Sequence, residues 1–207
     1  MRIKTTLSIL VVVAFFDIIC SMHIVAISGS LRKTSCNTGL LRAMRDQLPP
    51  GHTMDIIVPD LPLFNQDLER PDLVPEAVKE YRQRLKAADA FLFGLSEYNF
   101  SMSGAAKNAI DWGSRGADGG NLFNEKAAAV VSAGGGVGGQ RAAAHFRDSA
   151  LFLNLHVMNK PDLSARIYQS PSPFNLESGD LVDEDMRVNA GKVVDALIEW
   201  TNRIAVK

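Results

Sequence analysis

A doubly wound α/β fold, with a parallel sheet between two helix layers, is the class that the 207 residues predict. Three observations predict it. Near-continuous apolar runs recur at His23 to Ile27, Ala90 to Leu95 and Lys126 to Ser132, the pattern of strands buried on both faces. Stretches of helical spacing separate these runs, as in successive βαβ units. The loops after the runs are rich in Ser, Gly and Asn, and strand ends are where such sheets bind ligands.

The composition, 46% hydrophobic and 22% charged, belongs to an ordered globular chain, and about 70% of the open-chain surface of such a length can be buried. A length of 207 residues predicts one domain. A net charge of −1 provides no basic excess to hold a phosphodiester backbone, which argues against nucleic acid as a partner. Two cysteines, Cys20 and Cys36, make no disulfide framework and fit a reducing compartment.

The elements follow in order. Residues 1–21 form an extension in which Leu7 to Phe16 is apolar, follows Arg2 and Lys4, and stops at Asp17. Its apolar run is shorter than the roughly 20 residues that a bilayer span needs. A secretory signal, a membrane-surface anchor and a gene-model extension before a start at Met22 all fit it. From residue 22 a strand ends in Ser28-Gly29-Ser30, and helical spacing runs from about Asn37 to Gln47 until Pro49-Pro50-Gly51 stops it. A strand over Met54 to Val58 and a helix from about Pro75 to Ala88 lead to the run at Ala90. A turn and an amphipathic helix, Ala105 to Arg115, come next. Beyond the run at Lys126 the pattern predicts a helix over Gly139 to Leu153, a short strand near His156 to Met158, and a last helix from Glu184 to Arg203. Residues 162–184 are rich in Ser, Pro and Asn and predict a surface excursion. Five strands suit a flavodoxin-like order, a doubly wound five-stranded parallel sheet with its ligand at the topological switch point.

Three loops carry the candidate chemistry. Ser28 to Asn37 places small residues before a helix, where free amides, the helix dipole and the side chains of Ser30, Ser35 and Asn37 can bind a phosphate, with Arg32 adding a charge-assisted bond. The plainer alternative is that Ser35 and Asn37 only cap the helix. At the third strand's end, Glu97, Tyr98, Asn99 and Phe100 offer aromatics and an amide to flank a flat heteroaromatic ring. Taken singly, Lys107, Asp111 and Trp112 read as helix and core. At the fourth strand's end, residues 134–139 match Gly-x-Gly-x-x-Gly but come too late for a dinucleotide-binding half, so these glycines read as backbone that approaches a flat ligand, or as a flexible turn. Cys36 lies at a helix N-terminus that can lower a thiol pKa, yet it lacks a companion cysteine and reads as a bystander. His23, His52, His145 and His156 show no metal-ligand spacing, and no Gly-x-Ser-x-Gly elbow is present.

The run Gly29-Ser30-Leu31-Arg32-Lys33-x-Ser35-x-Asn37, followed by Glu97-Tyr98-Asn99-x-Ser101 and Lys107-Asn108-Ala109-Ile110-Asp111-Trp112-x-Ser114-Arg115, resembles the NADPH-dependent FMN reductase family. Ser132 to Gly136 and Asn159-Lys160-Pro161 are most similar to its NAD(P)H:quinone oxidoreductase and chromate reductase branch. The likeness spans roughly residues 22 to 205 and leaves out residues 1–21. It implies a reductase domain over residues 22–207 that binds FMN, with NADPH or NADH as co-substrate, a quinone or other small electron acceptor, and a cytoplasmic homodimer or homotetramer. On this resemblance Ser30, Leu31, Arg32, Ser35, Cys36 and Asn37 hold the FMN phosphate, Glu97, Tyr98, Asn99 and Phe100 border the ring, and Ser132, Ala133, Gly134 and Gly135 approach its other edge. Ping-pong hydride transfer is implied, with no side-chain nucleophile and no metal. The alternative is an FMN electron carrier or redox-responsive interaction protein of flavodoxin type; a phosphate-binding module without flavin is a third reading. Two departures stand out. Ser96 replaces the family's Pro and Ala105-Ala106 replace bulkier residues, which predicts a looser ring-side loop, and residues 141–145 lack the aromatic that relatives place before the His of a tetramer contact.

Overall fold

The computed structural model describes residues 21–116 and 120–205; the expectations for the N-terminal extension rest on residues 1–20 and lie outside them. The elements are β1 (His23–Ser28), α1 (Cys36–Arg45), β2 (Thr53–Ile57), α2 (Glu76–Lys86), β3 (Ala90–Leu95), β4 (Glu97–Tyr98), β5 (Ser101–Met102), α3 (Gly104–Ser114), β6 (Ala127–Gly134), α4 (Gln140–Leu153), β7 (His156–Val157), β8 (Leu163–Arg166) and α5 (Glu184–Ala205). A short 3-10 turn, Gln66–Glu69, precedes α2.

The main sheet is parallel, in the order β2-β1-β3-β6-β7, with β8 also paired to β6. This is the predicted flavodoxin-like order, with the fifth position shared by two short strands. β7 pairs with Ala127 and Ala128 at the start of β6, and β8 pairs with Val131 to Gly134 at its end. The strand signal was therefore legible only for the first piece. Asn159-Lys160-Pro161 interrupts the run, because proline lacks the ladder donor.

Alternation along β1 splits the core. Ile24 and Ala26 face α1 and α5 with Leu40, Leu41, Met44, Val193 and Leu197, whereas Val25 and Ile27 face α2, α3 and α4 with Leu85, Phe91, Phe93, Trp112 and Phe146. The second face is aromatic: Phe93 and Phe146 centroids lie 4.3 Å apart, and Phe91 meets Phe123 edge-on at 5.0 Å. Each such buried side chain contributes about 1.5–3 kcal/mol of burial.

The predicted excursion is corrected in part. Leu163–Arg166 is a strand, and Phe174 and Leu181 are buried and bridge to one another. The segment docks on α1 through two glycines. A Cβ on Gly39 would lie 1.8 Å from the Gly179 carbonyl oxygen, and one on Gly179, whose φ is +78°, would lie 2.7 Å from Thr34. Arg42 Nε donates to the Asp180 carboxylate at 3.0 Å beside this contact and holds that carboxyl below its usual range.

Candidate functional site

The phosphate-type loop is built from the residues that the sequence predicted, although their roles divide. Ser35 caps α1 by accepting the Thr38 amide at 3.3 Å. The amides of Cys36 and Asn37 in the first turn have no intrahelical acceptor, and no acidic side chain occupies that turn. The Asn37 side chain is not one of the free donors. Its Nδ2 donates to the Ala133 carbonyl at 2.9 Å and its Oδ1 accepts the Ala133 amide at 2.8 Å, so it pins α1 to the end of β6. Burial pushes the Cys36 thiol up, against a smaller opposing pull from Arg32.

Gly29 ties this loop to the next. Its amide donates to the Gly94 carbonyl at 2.7 Å, and its carbonyl accepts the hydroxyls of Ser96 at 2.7 Å and Ser103 at 2.5 Å. A proline at 96 has no hydroxyl to make this bond. The looser loop expected from Ser96 is therefore corrected: the residue is buried and tethered.

After Ser96 the chain makes a hairpin, β4–β5, that sequence patterning missed because each arm has only two residues. Asn99 and Phe100 form its tip with φ of +50° and +63°, the left-handed pair a two-residue hairpin needs. Asn tolerates that conformation; an aromatic residue is strained in it. Three contacts hold the tip against α4. Glu97 Oε2 accepts the Arg141 amide at 2.9 Å, Glu97 Oε1 accepts the Arg141 guanidinium at 3.3 Å, and that guanidinium lies 4.1 Å from the Phe100 ring centre. His145 also meets the Ser101 hydroxyl at 2.9 Å.

The third loop sorts its glycines into two kinds. Gly134, Gly138 and Gly139 are demanded by packing: a Cβ on them would come within 2.9 Å of Gly139, Ser164 and Ser132 respectively. Gly135 and Gly136 would direct a Cβ into open space. Ser132 lies beneath this loop and donates to the Gly138 carbonyl at 2.8 Å.

These loops enclose two cavities at the carboxyl end of the sheet. One, about 240 Å³, is bordered by Ser30, Arg32, Ser35, Cys36, Asn37, Glu97, Tyr98, Ala133, Gly134 and Gly135. The other, about 790 Å³, is bordered by Glu97, Asn99, Phe100, Gly135 and Arg141 among others. Glu97 and Gly135 border both, so the two form one cleft. Leu31 and Ser132 border neither. Sequence reasoning missed Ile167 and Tyr168, which close the smaller cavity from the end of β8, and Arg141 and Val137, which border the larger one. The interrupted fifth strand concealed the first pair, and Arg141 was read only within the segment 141–145 compared with a tetramer contact. A separate cavity of about 540 Å³ beside Val74, Val78 and Trp112 contains none of the predicted residues. Among the described residues no group of three or more His, Cys, Asp or Glu is placed to hold a metal ion. None of their helices is long and apolar enough to cross a membrane.

One end of the cleft thus gathers amides, hydroxyls and a guanidinium, and the other is bordered by the Phe100 ring, Arg141 and the open Gly135–Gly136 loop. Comparison with known proteins agrees. Residues 22–169 match the family model described as NADPH-dependent FMN reductase. The chain is 44% identical over 171 residues to a protein described as probable NADPH:quinone oxidoreductase 2 of Oryza sativa subsp. japonica, covering 81% of this chain and 82% of that one. It is 43% identical over 190 residues to the NADPH:quinone oxidoreductase of Arabidopsis thaliana, covering 90% and 95%. Among solved structures, the flavoenzyme NAD(P)H:(acceptor) oxidoreductase FerB of Paracoccus denitrificans superimposes with a TM-score of 0.74 at 28% identity, covering 88% of this chain and 98% of that one.

Proposed function

The chain belongs to the NADPH-dependent FMN reductase family, and from that premise we propose that it passes two electrons from NAD(P)H, through FMN held in the cleft, to quinones or similar flat acceptors. The observation that carries this reading is the cleft, with hydrogen-bond donors and Arg32 at one end and Phe100, Arg141 and the Gly135–Gly136 loop at the other.

The residues present fit FMN. The first-turn amides of α1 lack acceptors, the hydroxyls of Ser30 and Ser35 and the Arg32 guanidinium border the same cavity, and Gly135 leaves open space where a Cβ would stand. Bound FMN supplies the redox chemistry, accepting a hydride from NAD(P)H and returning two electrons to the acceptor. The α1 amides and Arg32 bind the phosphate, with Asn37 acting from behind by fixing α1 against β6. Glu97 to Phe100 on one side and Gly134 to Gly136 on the other orient the flat group and exclude water from its faces. No side chain serves as nucleophile. Since NAD(P)H and acceptor share one open cleft, they bind in turn, and double-reciprocal plots are parallel.

We assign residues 22–207 to one reductase domain, place it in the cytoplasm because NAD(P)H is an intracellular reductant, and infer a homodimer or homotetramer. Exposed apolar side chains support the last point: Leu151 and Phe152 at the end of α4 are 82% and 86% exposed. Sedimentation equilibrium measures it.

The decisive experiment titrates FMN into the purified protein, follows absorbance near about 450 nm, then adds NADPH without oxygen and finally a benzoquinone. Bleaching and recovery support the reductase. A protein that takes up no FMN removes the assignment, and one that binds FMN but is not bleached is an electron carrier instead.

A further inference from the structure

We propose that Arg141, stacked on Phe100 in the larger cavity, selects planar aromatic ligands that carry an anionic oxygen group. The inference rests on the function proposed above and names the ligand chemistry of the cleft's outer half.

Both Glu97 carboxylate oxygens are occupied, one by the Arg141 amide and the other by its guanidinium. The acid's charge is thus compensated and its acceptors are in use. Arg141 keeps more than it gives: a guanidinium has five N–H donors, and Glu97 takes one of them. The capacity left over is therefore donor capacity. Beside it, Phe100 is 66% exposed, with one face on the guanidinium at 4.1 Å. The guanidinium over one face of the exposed phenyl makes a platform for a further flat ring, and the hairpin tip places the phenyl there. A planar ring with a sulfonate, carboxylate or phosphate at its edge meets both features at once. A neutral ring meets only the platform.

Two ligands of the reaction carry this chemistry: an anionic quinone acceptor, and the adenosine 2′-phosphate of NADPH. Calorimetric titrations of the FMN-loaded full chain without reductant separate them. One pair of probes is 1,4-naphthoquinone-2-sulfonate with 1,4-naphthoquinone; the other is 2′,5′-ADP with AMP. In one pair, the member with the additional anionic group is expected to bind about tenfold tighter, as a charge-assisted bond provides. That ratio falls to near one in Arg141→Gln and is partly restored in Arg141→Lys. The pair that responds identifies the source. A ratio near one for both pairs in the parent protein overturns the proposal, as does a ratio that Arg141→Gln leaves unchanged. The measurement needs no turnover: if the parent is not bleached by NAD(P)H, the reductase reading fails while the ratio still reports on Arg141.

Discussion

The two ends of the cleft are built on opposite plans. At the phosphate end, side chains are buried and bonded to backbone: Asn37 to Ala133, Ser96 and Ser103 to Gly29, and Gly39 packed on Gly179. At the ring end, Tyr98, Asn99 and Phe100 are exposed, and the tip is held by the two Glu97–Arg141 bonds, the guanidinium over Phe100 and the His145–Ser101 bond. The phosphate is common to every FMN, so its cradle can be fixed in advance. Acceptors vary, and a tip held by surface contacts can accommodate them.

Gly39→Ala should break the first plan most severely. The added Cβ would overlap the Gly179 carbonyl oxygen, and overpacking of this kind costs about 3 kcal/mol. Chemical denaturation reads the loss, with FMN affinity falling as the segment over α1 is displaced.

Asn37→Ala comes next. It leaves the Ala133 amide and carbonyl without partners, at about 2–4 kcal/mol for two buried backbone groups. Because both polar atoms of the side chain are taken up by the backbone of β6, FMN retention should fall together with stability. An affinity loss at unchanged stability would show that Asn37 touches the phosphate.

Phe100→Gly tests the second plan. Removing the aromatic from a left-handed position relieves about 1 kcal/mol of strain and also deletes the stack on Arg141, so the net change in stability should be near zero. The KM for flat acceptors should rise by a larger factor than FMN affinity falls. Equal losses in both would erase the distinction between the two ends.

The smallest effect is acid sensitivity at the phosphate end. Arg42 holds the Asp180 carboxyl below its usual range, so the pair contributes stability above the unfolded value near about 4 and loses it as pH falls through the lower folded value. Asp180 is half exposed, which limits the pair to less than about 1 kcal/mol. Asp180→Asn should flatten the stability profile only below about pH 4.

Much of the first plan was legible in the sequence. β1, β3 and β6 are buried on both faces, so their apolar runs stand out, and the loops that follow them hold the predicted residues. Residue type did not reveal use. Asn37 suggested a phosphate donor, yet a partner 96 positions away in sequence occupies it. Cys36 lies at a helix N-terminus, yet burial raises its thiol against the smaller pull of Arg32, which fits its reading as a bystander. Less of the second plan was legible. A hairpin with two-residue arms has no periodicity, and the Arg141–Phe100 stack joins residues from different loops. Tyr168 was hidden by the break at Lys160-Pro161, which made β8 look like part of a coil.

The Gly29 carbonyl has one more consequence. With Ser96 and Ser103 on that oxygen, and Asn37 clasping Ala133, three loops distant in sequence are knotted into one piece. Such a site is not modular. A loop transplanted from a relative brings its own ligand contacts but none of the knots, so the exchangeable unit is the set of loops together with Asn37, Ser96 and Ser103.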